Sequence, residues 1–335
     1  MGYSGLSKYR SELMGMAMLW VMCFHAWNLD LGCQVLEWVR AAGFGGVDIF
    51  IVLSAMGLVM SLSRREQDFS SFMARRALRI LPAYFIVMLA YTAFSVVRQT
   101  APPSAFLWNS LLLNYWVHAR GSFNWYVSGI MLFYTITPFC FRQLKKKTHR
   151  ALWVGAGIVL GLLACRLLIV DNYWNYLDVF YRVPVFFLGL LLGFYVYEKK
   201  PCGGKDKLFW VVWTLLGAGY LVLSPIATEA GFYLPLCHLF LFTTVPMCFA
   251  ACFLFEKLPL GWLRKFLRLV GENSLEIYLL NVSFFSELDL LQSYFGFGPT
   301  RRLYFLIAFT LNILLGVGLH RLVAAGESRL KKQRI

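Results

Sequence analysis

An imidazole and a small set of guanidinium groups are the side chains here best placed to do chemistry. His25 lies near the end of ELMGMAMLWVMCFHAWNL, residues 12–29, a stretch otherwise apolar enough for a bilayer. An ionisable group in hydrocarbon is costly, so it faces a bundle interior or a wet cavity and is a functional candidate by default. An imidazole in a partly dehydrated cavity stays neutral and is then a competent general base. Asp48, in GFGGVDIFIVLSAMG at 43–57, is either a helix-start acid or a carboxylate that orients or polarises a neighbour such as His25. Arg75, Arg76 and Arg79 fall in FMARRALRILPAYF, residues 72–85, read as a loop that ends at Pro82. They are either cytoplasmic anchors or a phosphate clamp, because guanidinium forks bind phosphate bidentately. A nucleotide-bearing donor such as acyl-CoA fits such a clamp.

The elements that must position these groups are membrane helices. The chain has 335 residues, 59% hydrophobic and 15% charged, with a mean hydropathy of +0.62. A soluble domain carries about a quarter charged residues. Apolar runs of about 20 residues recur throughout, enough to cross a bilayer as helices, which satisfy their own backbone hydrogen bonds. The expected fold is an all-α integral membrane protein, one domain over 1–335, with about ten transmembrane helices and no appended soluble domain. The expected spans are 12–29, 43–63, 81–98, 124–142, 151–170, 182–198, 208–225, 233–255, 272–290 and 303–325. Phe106–Val117 is too short to cross and lies in the interface or re-enters.

The formal charge of +15 would suggest nucleic acid in a soluble protein. Here it reads as basic residues holding cytoplasmic loops in place. With the N-terminus inside, Lys and Arg concentrate in alternate loops: Arg64 to Arg79, Arg142 to Arg150, Lys199 to Lys207, Lys257 to Arg268, and the tail from Arg329. The opposite loops hold few. Both termini are therefore expected in the cytoplasm, with His25 toward the outer face. The eight cysteines make no CxxC pair, so no metal site is expected. No cleavable signal peptide is read in the first apolar run, which carries Glu12 and His25.

Taken in order, several segments resemble the acyltransferase-3 family of bacterial polytopic membrane acyltransferases. They are His25 followed by GGVDIFIVLSA, then RRALRILPAY, then NWYVSGIMLFYTITPF at 124–139 with its Trp-x-x-Ser element. YRVPVFFLGLLLGF at 181–194 is similar to an Arg-x-Pro-x-Phe-x-x-Gly span, and GENSLEIYLLN at 271–281 to a Ser-x-x-Ile-Tyr-Leu-x-His element. The resemblance implies a bacterial inner-membrane enzyme that moves an acyl group, often acetyl, from cytoplasmic acyl-CoA to a hydroxyl of an extracytoplasmic glycan, finished or lipid-linked. It implies acyl-CoA as co-substrate, no permanently bound cofactor, and the lipid bilayer rather than nucleic acid as surroundings. It gives His25 the catalytic role and Arg76 and Arg79 the donor side. Asp48, Ser128, Arg182 and Glu276 occupy positions matching functional or motif residues. Two positions depart from the pattern. Met14 stands where the family has an arginine eleven residues before the histidine, with Arg10 or Arg182 as substitutes, and Asn281 stands where the last motif has histidine.

Acyl transfer to an alcohol needs the hydroxyl deprotonated as it attacks. His25 is expected to be the base, with Asp48 its first-choice carboxylate partner and Glu276 its second. Ser128, Asn281 or Arg182 would donate to the thioester oxygen as it gains charge. A donor held by inner arginines must reach an outer histidine, so a slot through the bundle is expected. His118 and His149 read as solvated, His238 as a structural hydrogen bond, and His320 as a headgroup contact. A carrier or flippase of a small anionic or glycan-linked solute is the alternative from a different class. Inverted repeats with broken helices would favour it.

Overall fold

Helices account for the regular structure of the computed structural model, which describes residues 2–27, 29–118, 123–285 and 302–332. The long ones are α1 (Arg10–His25), α2 (Gly46–Arg64), α3 (Phe69–Val97), α4 (Trp125–Leu144), α5 (Arg150–Val170) and α6 (Val183–Tyr197). They continue with α7 (Gly204–Glu229), α8 (Leu239–Lys257), α9 (Gly261–Glu272), α10 (Ser274–Leu280), which passes into a π-helical turn over Asn281–Phe285, and α11 (Arg302–Lys332). Among the described residues, seven helical segments are long and apolar enough to cross a membrane, in the regions of α2, α3, α5, α6, α7, α8 and α11. Helices also stand at the other three expected places. There α1 has 16 residues, α4 falls short in apolarity with Arg142 in its last turn, and α10 with its π turn has 12. Residues 286–290 of the expected ninth span lie outside the described residues.

Exposure sorts the helices into a centre and a rim. The apolar windows of α2 and α6 are 78% and 72% buried, whereas that of α7 is 17% buried. So α2 and α6 form the protein core while α5, α7 and α11 turn leucines such as Leu160, Leu215 and Leu314 outward. Lipid is as apolar as those side chains, so the helices associate through close packing of small residues rather than hydrophobic burial. A Cβ on Gly189 of α6 would lie 2.7 Å from the Val52 carbonyl oxygen of α2.

The tightest approach is between α1 and α9. A Cβ on Gly15 would lie 1.9 Å from the Leu267 carbonyl oxygen, and one on Gly271 would lie 1.8 Å from the Ser11 carbonyl oxygen. Both obstacles are backbone, which cannot swing aside as a side chain can. Beside the crossing, Glu12 is buried and its Oε1 lies 2.7 Å from an Arg268 nitrogen and 3.8 Å from one of Arg264. The acid inside the first apolar run is thus the partner of two arginines on α9. Gly271→Ala is expected to cost roughly 3 kcal/mol or more, the upper end of overpacking effects. Gly155→Ala, where a Cβ meets nothing within 4 Å, serves as control. Thermal unfolding in detergent is the measurement. Equal midpoints for the two variants would remove the close crossing from the account.

One boundary differs from the sequence expectation. The segment 72–85 is not a loop: α3 starts at Phe69, capped by Asp68, whose carboxylate accepts from the Ser71 amide at 2.9 Å. Pro82 lies inside the helix instead of ending the basic segment, as neighbouring helices in a bundle allow. Arg75, Arg76 and Arg79 therefore sit on helical turns, with Arg75 and Arg79 four apart on one face. The segment 106–117 is two short helices, Ala105–Ser110 and Asn114–His118. Asn109 is buried, bonds Thr92 of α3 through its amide at 3.0 Å, and accepts at its carbonyl from the Tyr84 hydroxyl at 2.6 Å. The segment is folded back into the bundle.

Ion pairs gather the basic connections at one end. Arg150 at the start of α5 holds Glu198 after α6 through two nitrogens at 2.9 and 3.1 Å. Lys200 holds Asp206 in the first turn of α7 at 2.6 Å, and Lys8 lies 3.9 Å from Glu256 at the end of α8. The start of α1 and the ends of α2 and α8 share this basic end. His25 lies at the opposite end of α1.

Candidate active site

A cavity of about 600 Å³ opens among α1, α2, α3, α4, the end of α9, α10 and α11. Six arginines line it: Arg10 from α1, Arg64 and Arg65 from the end of α2, and Arg75, Arg76 and Arg79 from α3. Two lining carboxylates, Glu272 and Glu276, leave the wall strongly positive. The inner walls are aromatic, with Phe50, Tyr126, Tyr134 and Tyr278. The rings of Tyr126 and Tyr278 lie 4.8 Å apart and those of Phe50 and Tyr126 6.4 Å apart. Such a chamber suits an elongated ligand with a polyanionic head.

The arginines differ in how free they are. Arg75 donates to Gln67 Oε1. Arg76 lies over the Phe72 ring and its buried Nε has no hydrogen-bond partner. Arg10 Nε donates to the Leu53 carbonyl at 3.3 Å. The start of α1 at Arg10 brings this side chain into the cavity wall beside Met14. Arg182, the other substitute, is not among the lining residues. It is buried near the opposite end, with Nη1 donating to the Asp178 carbonyl at 2.6 Å and its guanidinium 4.9 Å from the Trp125 ring centre. Its position as N-cap of α6 puts it about one helix length from the basic end and from the arginines that line the cavity.

His25 ends α1 and is half-buried, with the Phe24 and Trp27 rings edge-on to it. Its Nδ1 lies 2.9 Å from the Val21 carbonyl oxygen. A carbonyl only accepts, so this bond places the proton on Nδ1 and leaves Nε2 as the lone-pair nitrogen. The short helix Gln34–Ala41 is tied over this end of α1. Arg40 Nη1 donates to the Ala26 carbonyl at 3.1 Å, and Trp20 Nε1 donates to the Val39 carbonyl at 2.6 Å.

Neither carboxylate expected beside His25 is its partner. Asp48 is buried in the first turn of α2 and its Oδ2 lies 3.9 Å from Arg182 Nε. Glu276 lines the cavity and lies 2.8 Å from His320 Nδ1. Helix phase decides both cases: Asp48 faces α6, and Glu276 faces α11. The backbone of α1 itself, four residues earlier, does the orienting instead. Ser128 does not face the cavity, since its hydroxyl donates to the Leu112 carbonyl at 3.0 Å and ties α4 to the folded-back segment. His320 is the site residue the sequence did not single out: its imidazole lines the cavity beside Glu276. Only the packing of α11 against α10 brings it there, 44 residues from Glu276 in sequence.

His25 is not among the residues lining the cavity. Arg10 and His25 are fifteen residues apart on α1, about 22 Å by helical rise. The chamber thus lies toward the basic end of α1, with the Tyr126 and Tyr278 rings in its wall.

Comparison with curated proteins and with solved structures finds no match. The sequence model of the acyltransferase-3 family, described as an acyltransferase domain, matches residues 13–321. That stretch runs from the second turn of α1 to the last third of α11 and holds His25, the α3 arginines and the aromatic wall, so the chain belongs to the acyltransferase-3 family and is a multi-pass membrane acyltransferase.

Proposed function

We propose that the protein is an O-acyltransferase. It takes an acyl group, acetyl in the first instance, from cytoplasmic acyl-CoA and places it on a hydroxyl of an extracytoplasmic cell-surface glycan, finished or lipid-linked. The observation that carries this reading is the cavity with six arginines at its mouth and aromatic rings inside, in the same bundle as a half-buried imidazole. The basic end faces the cytoplasm of a bacterial inner membrane, in keeping with the positive-inside rule. Arg76, Arg79 and Arg10 hold the donor's phosphates, and the thioester arm runs beside α1 toward His25.

In this scheme His25 Nε2 accepts the proton of the acceptor hydroxyl as its oxygen attacks the thioester carbonyl. The tetrahedral intermediate collapses with loss of the CoA thiolate, which takes the proton back from the imidazolium. Nδ1 stays bonded to the Val21 carbonyl throughout, so the ring needs no rotation. Arg182, buried 3.9 Å from Asp48, is the guanidinium we assign to the oxyanion of that intermediate.

Purified protein with acetyl-CoA and candidate glycans tests the reading. Thioester consumption coupled to ester formation is the expected result; movement of a solute with no thioester consumed would replace the enzyme by a carrier. A single turnover with labelled acyl-CoA and no acceptor is expected to leave the wild-type protein unlabelled. Label retained on wild type and absent from His25→Ala would instead establish an acyl-histidine relay.

A further inference from the structure

The stretch between the cavity and the His25 end is not uniformly apolar. Past Leu280, α10 widens into the π turn Asn281–Phe285, which packs on α1, α3 and α11. Single π turns inside α-helices are rare and frequent at functional sites. Asn281 is 2% exposed and Asn312 of α11 is 0% exposed. Asn281 Oδ1 and both Oδ1 and Nδ2 of Asn312 have no hydrogen-bond partner. Buried amide groups are nearly always paired, because leaving one unpaired costs the desolvation of that group.

Packing puts the two asparagines at one level. A Cβ on Gly316 would lie 2.4 Å from Ile277 Cγ1, so these residues mark the contact between α10 and α11. His320 and Glu276 meet on the basic side of it. Asn281 lies four residues beyond Ile277 and Asn312 four residues before Gly316, each about 6 Å further along its helix on the same side. The asparagines therefore lie about one turn beyond Tyr278 of the cavity wall, in the direction of the His25 end.

We infer that Asn281 and Asn312 form an amide-recognising subsite for the pantetheine arm of the acyl-CoA donor, an inference that rests on the donor reading above. The arm carries secondary amides, each with one N–H and one C=O. The two Oδ1 atoms accept from such N–H groups and Asn312 Nδ2 donates to a C=O. A phosphate offers acceptors alone and would leave both Oδ1 atoms opposed by like charge; an acyl chain offers nothing. The asparagines receive the arm about one helical turn beyond Tyr278 of the cavity wall.

The test compares coenzyme A with adenosine 3′,5′-bisphosphate, a nucleotide without the arm, on the full-length protein in detergent. In the wild type coenzyme A binds more tightly. In Asn312→Leu the bisphosphate is expected to bind as before, while coenzyme A loses about thirtyfold, the equivalent of the two amide hydrogen bonds assigned to this side chain. The ligand-free variant is expected to melt no lower than wild type, because the leucine removes unpaired polar atoms. A structural asparagine would do the reverse, with earlier melting and an unchanged ratio of the two affinities, and that result overturns the subsite. Asn281→Leu carries the same comparison if Asn312→Leu does not fold. Equal affinity of both ligands for wild type would defeat the subsite and leave the donor site standing. Failure of both to bind would remove the donor site, and the subsite with it.

Discussion

His25→Ala is expected to lower acyl transfer by about 10²- to 10⁴-fold, the range for losing a positioned general base, while donor affinity stays at the wild-type level. The separation of the two effects follows from the geometry. His25 is at one end of α1 and is absent from the cavity wall, whereas the arginines line that wall from the other end. Removing the imidazole deletes the Nε2 lone pair without touching a guanidinium. The bond from Nδ1 to the Val21 carbonyl is one intrahelical side-chain bond at the end of a helix, so its loss leaves α1 in place. His25→Gln sharpens the test. Its amide is polar and of similar reach but cannot carry a proton at neutral pH, so it is expected to be as inactive as alanine. Transfer at wild-type rate in His25→Gln would mean that the ring only orients a substrate. Loss of donor binding in His25→Ala would mean that the donor reaches this end of the bundle with most of its binding energy.

The arginine cluster, the membrane helices and the isolated histidine were legible because each is a local pattern. Charge within a turn, apolar runs of a given length and one ionisable side chain in such a run need no tertiary information. What the sequence could not supply was helix phase. Asp48 and Glu276 both had the chemistry to orient His25, but a rotation about the helix axis decides which neighbour a carboxylate meets. Asp48 meets Arg182, and Glu276 meets His320, 44 residues away. The start of α3 was hidden for a smaller reason, the Asp68 cap, which lengthens the helix through the arginines and carries Pro82 inside it. Glu12 looked like an anomaly in an apolar run until α9 supplied its two arginines. Arg10 could be placed only once the first residue of α1 was known, since a shift of one turn decides whether its guanidinium enters the cavity beside Met14.

Arg76→Ala/Arg79→Ala is expected to weaken donor binding by about 10²-fold or more, with a smaller change in turnover at saturating donor. A hydrogen bond to a charged group contributes about 1.5–3 kcal/mol, and two such groups would reach about 10²- to 10⁴-fold if they acted alone. Arg10, Arg64, Arg65 and Arg75 remain in the wall, so the lower end is the appropriate expectation. Arg76 has the larger share, because its buried Nε lacks a partner that a phosphate oxygen can supply. Arg75 already donates to Gln67, so Arg75→Ala has the smaller effect. Salt separates charge from geometry: wild-type donor affinity falls as ionic strength rises, and the double variant has a shallower dependence. Arg76→Lys separates them further, keeping the charge and losing the planar fork. It is expected to fall between wild type and Arg76→Ala, with the salt dependence of wild type. Isothermal titration with coenzyme A across a salt series is the measurement. A double variant that binds coenzyme A as wild type does, with the same salt dependence, would return the α3 arginines to the plainer role of holding the basic end at the headgroups.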